Sequence, residues 1–221
     1  MDLEQGLNIR PGVTAVIGGG GKTTLLRVLG EALAQRGERA LLCTTAKFLP
    51  FPGLENLVSP TEEDIQATFR RHHLIAAGAP VPGTGKLAGL ELPMARLAAL
   101  ADYVLVEADG SAGRPMKAHA PHEPVIPAEA NQTVLVIGAS GFGQPIFQAA
   151  HRPERYAALA GVSLDAEVTP EIAAAVIDAE GFADRVLVNQ VETAEQIAAA
   201  RRLEELLACP VLSSALKGEG V

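Results

Sequence analysis

The chain has 221 residues, 48% of them apolar and 20% charged, with a formal net charge of −8; this is globular composition, long enough to bury a sizeable core as one domain over 1–221. The acidic balance argues against nucleic acid or an anionic membrane as partner while leaving room for a local basic patch, and no apolar run approaches the ~18–20 residues of a membrane span. The opening MDLEQGLNIRPG lacks the basic-then-apolar order of an export signal, so a cytoplasmic location is expected.

Val13–Ile17 (VTAVI) reads as a buried strand. The helix that follows carries Leu25, Leu26, Leu29 and Leu33 at helical spacing and ends at Gly37. RALLCTT (Arg39–Thr45) is a second strand, and the Pro- and Gly-containing KFLPFPGLENLVSP reads as an irregular connection. A helix then starts with Thr61 and Asp64 at capping-box spacing. Strand HLIAAG, helix ELPMARLAALA and the acid-ended strand DYVLVEADG come next, before the irregular, proline-rich SAGRPMKAHAPHEPVIP. TVLVIG resumes the strands, HRPERYAALAG and TPEIAAAVIDAEG are short helices, and DRVLVNQ, TAEQIAAARRLEELLA and PVLSSA close with strand, helix, strand. Such alternation predicts a mostly parallel sheet covered on both faces, and together with the glycine loop after the first strand it makes the expected fold a P-loop NTPase-like three-layer α/β/α sandwich. Cys43 and Cys209 match no paired metal-ligand spacing and are expected to be reduced core residues.

Between the first strand and its helix stands GGGGKTT. A phosphate loop needs backbone N–H groups free to converge on an anion and a helix N-terminus behind them, and Gly18, Gly19, Gly20 and Gly21 followed by Lys22, Thr23 and Thr24 meet both conditions. Lys22 then reaches the outer phosphates and the Thr23 hydroxyl completes the shell of a Mg²⁺ ion. The long form of the motif wants glycine where Val16 stands, so the match is to a shortened G-x-x-G-K-T-T, which resembles the loop of ATP-dependent peptide ligases of cell-wall synthesis. The competing reading is a glycine turn with an exposed lysine.

Carboxylates for the metal and for the attacking group are expected at a neighbouring strand end, and Glu107 and Asp109 of VLVEADG supply them. An ordinary acidic turn at Asp109-Gly110 is the alternative. Thr44 and Thr45 end the second strand, placed either for phosphate or for local backbone. Asn189-Gln190-Val191-Glu192 sits where GTPases carry the guanine-reading N-K-x-D signature, so Asn189 and Glu192 are candidates for reading the base; a plain strand-to-helix cap competes. VIGASGFGQP has the look of a dinucleotide fingerprint, but Pro145 arrives before any helical periodicity, and it reads as a turn.

Taken in order, VIGGGGKTT, VEADGS, KAHAPHEPVIP and HRPERYAALAG resemble the YqeC family over almost the whole chain. The resemblance implies an accessory role in maturing a selenium-dependent molybdenum hydroxylase or its selenium- and molybdenum-containing cofactor. With that role, Lys117, His119, His122, Glu123, His151 and Arg152 become the candidates facing the acceptor or partner. Imidazole and carboxylate serve proton transfer or soft metal and selenium species, and Lys and Arg bind oxyanions. The expected ligands are therefore Mg²⁺ with ATP or GTP, and the partners a hydroxylase or cofactor intermediate, with a homodimer open. Slow nucleotide hydrolysis, with Lys22, Glu107 and Asp109 as the catalytic set, is the first reading. A non-catalytic nucleotide switch is the second. A ligase is the third, disfavoured because the chain lacks room for further substrate domains.

Overall fold

The structure, a computed structural model, describes residues 3–216. The chain forms two compact units, one of residues 3–16, 25–109 and 125–132, the other of residues 17–24, 110–124 and 133–216.

The elements of the first stretch of chain are α1 (Leu3–Gly6), β1 (Gly12–Gly18), α2 (Lys22–Gln35), β2 (Ala40–Thr44), β3 (Lys47–Phe48), β4 (Glu55–Val58), α3 (Glu62–Phe69), β5 (Leu74–Pro80), β6 (Leu87–Ala88), α4 (Met94–Leu100) and β7 (Tyr103–Glu107). β7 lies between β1 and β2, β2 continues onto β5 and β5 onto β4, every pairing parallel. Parallel strands covered on both faces want unbroken apolar runs, and ALLCT and YVLVE are buried at every position. Val13, Leu41, Ile65, Ile75, Leu97, Val104 and Val106 meet in the core of this unit. α2 turns Leu25, Leu26, Leu29 and Leu33 inward, none more than 1% exposed. The Thr61–Asp64 capping box forms with both of its bonds.

The stretch read as an irregular connection holds two short strands. β4 runs parallel to β5, and β3 pairs antiparallel with β6, which itself lies antiparallel on β5. Asn56 closes the intervening proline turn through three bonds of 2.8 Å, from the Phe51 N–H and to the Phe51 and Leu54 carbonyls.

The later elements are β8 (Met116–Lys117), β9 (Ala130–Gly138), a 3₁₀ turn (Ala139–Gly141), α5 (Ile146–Ala149), β10 (Ala150–His151), α6 (Pro153–Ala160), α7 (Pro170–Glu180), β11 (Arg185–Asn189), α8 (Ala194–Leu206) and β12 (Val211–Ser213). β11 lies between β9 and β12, again parallel. A separate two-residue ladder joins β8 to β10 in parallel. α7 lies against both α6 and α8. The α/β class with a mostly parallel sheet, expected from the alternation, is what the chain forms. Among the described residues no helix is long and apolar enough to cross a membrane.

Candidate functional site

The glycine loop leaves β1 at its carboxyl end and delivers the chain into α2 at Lys22. Gly18, Gly20 and Gly21 have φ of +96°, +68° and +105°, a backbone path that side chains rarely adopt. Close packing constrains the loop as well. A Cβ on Gly20 would lie 2.3 Å from the Gly138 nitrogen, and one on Gly19 would lie 2.4 Å from the Arg114 carbonyl oxygen. Backbone from β9 and from the 110–124 loop therefore touches the glycine loop directly. The contact is secured where the Gly138 N–H donates to the Pro115 carbonyl at 2.9 Å. This accounts for two of the three glycines of VIGASGFG: a Cβ at Gly138 would meet Pro115 Cβ at 2.8 Å, and one at Gly141 would meet Met116 Cγ at 2.8 Å. That stretch is a 3₁₀ turn serving packing, as the early proline implied.

Lys22 is buried, and its ammonium donates to the Gly18 carbonyl at 2.6 Å, folded back over the loop. Thr23 is exposed in the first turn of α2 and Thr24 half-buried. Asn189, at the end of β11, is 1% exposed and used twice: its amide donates to the Gly20 carbonyl at 2.8 Å and its oxygen accepts from the Leu216 N–H at 2.9 Å. Two of its four hydrogen-bonding positions thus brace the loop against the segment after β12. Gln190 follows with φ of +63°, and exposed Glu192 donates its N–H to Gln196 Oε1 at 2.8 Å. Thr193 and Gln196 form a capping box opening α8, so this stretch does cap a helix while Asn189 holds the loop.

Lys117 and His119 are buried and His122 is exposed, so the 110–124 segment is a partly internal structure. The ladder sets Lys117 opposite His151. Lys117 Nζ stands 2.9 Å from Glu123 Oε2 and donates to the Gly110 carbonyl at 2.5 Å, while Arg152 Nη1 donates to that same Oε2 at 2.7 Å. Burial alone raises the Glu123 carboxyl, but the bonds from Arg152 and Lys117 outweigh it and hold the group below the usual carboxylate range. Arg152 adopts φ of +61° and ψ of +62°, which costs an ordinary side chain roughly 1–2 kcal/mol. The other carboxylate of this region was not among the candidates read from sequence. Glu180, the last residue of α7, accepts from the His119 N–H at 2.6 Å and lies 2.7 Å from His119 Nδ1, with Phe182 edge-on to the imidazole at 5.5 Å between centroids. His119 and Glu180 are 61 positions apart, and no local pattern links them.

Glu107 and Asp109 belong to the first unit, both buried. Glu107 is the register partner of Val16 within β1, and the Ala108 N–H donates to the Val16 carbonyl at 2.9 Å. The Glu107 carbonyl accepts from Thr44 Oγ1 at 2.7 Å and from the Thr45 N–H at 3.1 Å, while Thr45 Oγ1 donates to the Val125 carbonyl at 2.7 Å. The Thr44 and Thr45 hydroxyls thus satisfy backbone carbonyls 63 and 80 positions away along the chain. β7 ends at Glu107, so Asp109 lies past the strand. Among the described residues, no group of three or more His, Cys, Asp and Glu side chains is placed to hold a metal ion. Burial pushes the Cys43 thiol up to about 12, and Cys209 is half-buried.

The family profile described as YqeC protein matches residues 14–154. YqeC of Escherichia coli (strain K12) is 33% identical over 183 residues, covering 74% of this chain and 66% of that protein, so the chain spans just under two thirds of its relative's length. Among solved structures, the hydrogenase maturation factor HypB from Archaeoglobus fulgidus aligns with a TM-score of 0.41 at 12% identity, covering 93% of this chain and 80% of that one. FtsY from Mycoplasma mycoides aligns at 0.45 and 12%, covering 95% and 62%.

Proposed function

The chain belongs to the YqeC family, and from that footing we propose that it binds a Mg²⁺-nucleoside triphosphate at Gly18–Thr24, hydrolyses it slowly, and uses it in maturing a selenium- and molybdenum-dependent hydroxylase or its cofactor. The observation that carries the nucleotide part is the loop itself: a positive-φ glycine run between a parallel strand and a helix, with Lys22 already lying across it at Gly18. A passive turn has no use for an ammonium buried over three left-handed glycines.

In this reading the N–H groups of Gly18–Thr24 and the Lys22 ammonium stabilise phosphate charge, and Thr23 and Thr24 supply hydroxyls at the start of α2. Thr23, Glu107 and Asp109 carry the hard oxygen donors that Mg²⁺ takes, and in this proposal Glu107 and Asp109 would serve the metal and the orientation of the attacking group. When bound, Mg²⁺ neutralises charge on the outer phosphates. The loop with Lys117, His119, His122 and Glu123, together with His151 and Arg152, faces the acceptor, because Arg114 and Pro115 of that loop already touch Gly19. Calorimetric titration of ATP and GTP with Mg²⁺ into the chain and into Lys22→Ala tests the proposal. Equal affinity in both proteins overturns it.

The Asn189 brace favours a second reading. Because one side chain holds both Gly20 and Leu216, a change in the loop on nucleotide binding is transmitted to the segment after β12, as a switch requires. Turnover separates the two: a switch binds nucleotide and releases no phosphate beyond background.

A further inference from the structure

The acidic balance of the whole chain conceals a local reversal. Arg114, Lys117, His151 and Arg152 come from two segments of the second unit that are tied together twice, by the β8–β10 ladder and by the Arg114 guanidinium donating to the Gln148 carbonyl. Lys117 and Arg152 converge on one atom, Glu123 Oε2, at 2.9 and 2.7 Å. The Lys117 side chain is fully buried, whereas Arg152 and Glu123 remain 28% and 20% exposed, so the cluster opens to solvent on the Arg152 side. Taking an ammonium out of water is poorly repaid by ion pairing, so a buried pair of this kind is weak as a stabilising device. Holding Arg152 in the left-handed region adds to that cost, and two further residues without glycine's freedom, Ala112 and Gln190, do the same in loops of this unit. An arrangement that is expensive to fold and open to solvent at a guanidinium suits recognition of an anion.

We propose that Arg152 and Lys117 form an oxyanion-binding site for a carboxylate or phosphate group of the acceptor, and that Glu123 is a built-in occupant whose Oε2 the ligand's oxygen displaces. The inference deepens the acceptor role given above to this loop and rests on it. Chemically, the incoming group substitutes one oxyanion for another at the same two cations, so no bond is made or broken. Glu123 therefore competes with the ligand, and affinity is set by how firmly the carboxylate is held.

That competition gives the two substitutions opposite signs. Inorganic phosphate and citrate are titrated calorimetrically, at fixed ionic strength, into the full chain and into Glu123→Gln, Arg152→Gln and Arg152→Lys. One or both anions bind, and the preferred one identifies the group. Glu123→Gln binds about tenfold more tightly because the amide is a weaker competitor for the cations, Arg152→Gln binds about tenfold more weakly, and Arg152→Lys falls between. The same pattern holds in a Lys22→Ala background, where the glycine loop competes about tenfold less strongly for phosphate. Unchanged or weakened binding by Glu123→Gln overturns the inference, as does a pattern that vanishes with Lys22→Ala. ATP and GTP titrations into the same proteins test nucleotide binding separately, so either idea can fail alone.

Discussion

Removing the Asn189 side chain discriminates between bracing the glycine loop and reading a base. Asn189→Ala deletes two partly buried hydrogen bonds, to Gly20 at 2.8 Å and from Leu216 at 2.9 Å, each worth about 1 kcal/mol net. The loss of about 2 kcal/mol corresponds to a fall in Tm of roughly 4–8 °C for a chain of this size. The loop must then be ordered at the moment of binding, so affinity for ATP and GTP falls together, by about tenfold for each 1.4 kcal/mol of ordering that binding supplies. Thermal unfolding beside competition titration of the two nucleotides reads both effects. A Tm within 1 °C of the parent together with a shift of more than about tenfold in the GTP-to-ATP affinity ratio refutes the brace and restores Asn189 as a base reader.

Lys22→Ala removes a charged hydrogen bond worth roughly 1.5–3 kcal/mol and should weaken Mg²⁺-nucleotide binding about tenfold or more, measured by calorimetry. Asp109→Asn should suppress phosphate release far more than it lowers Tm; parallel losses in the two assays would assign Asp109 to the fold instead. The Glu123 carboxyl is held below its ordinary range, so its contribution to stability is complete above the usual carboxylate pKa and disappears as pH falls through the lowered one. The Tm difference between the parent and Glu123→Gln should accordingly be present at neutral pH and close in acid, and a constant difference down to about pH 2 would contradict the ion-pair assignment. With its thiol pushed up to about 12 and buried, Cys43 should resist iodoacetamide in the folded chain while half-buried Cys209 labels first, as intact mass and peptide mapping would show.

What could be read from the residues alone was whatever is encoded locally. The strand-loop-helix around GGGGKTT, the buried runs of β2 and β7, and the Thr61–Asp64 box are each set by neighbours within a few positions, and each formed as read. β3 and β4 escaped because Pro50, Pro52 and Gly53 mask two short strands whose partners are β6 and β5, and because ENLV is half exposed and shows no clean alternation. The side-chain assignments failed to show for a related reason. Asn189 finds Gly20 across 169 positions, His119 finds Glu180 across 61, and Arg152 reaches Glu123 across 29, none of which has a local signature. The 110–124 loop was visible as chemistry, a run of Lys, His and Glu among prolines. Its internal pairing was not, because an ion pair is a property of packing.

The distribution of these partners along the chain has a consequence for shortening it. The family profile stops at residue 154, yet the amide that holds the Gly20 carbonyl and the carboxylate that holds His119 both lie beyond that point, on β11 and at the end of α7. A fragment cut there would retain every letter of GGGGKTT and of KAHAPHEP while losing the Asn189 bond to Gly20 and the Glu180 bonds to His119. β9 would also be left without the strand it pairs with at Val134–Gly138, exposing an unsatisfied backbone edge beside the loop. For this protein, the shortest stretch that carries the motif and the shortest stretch that can hold it in shape are different lengths of chain.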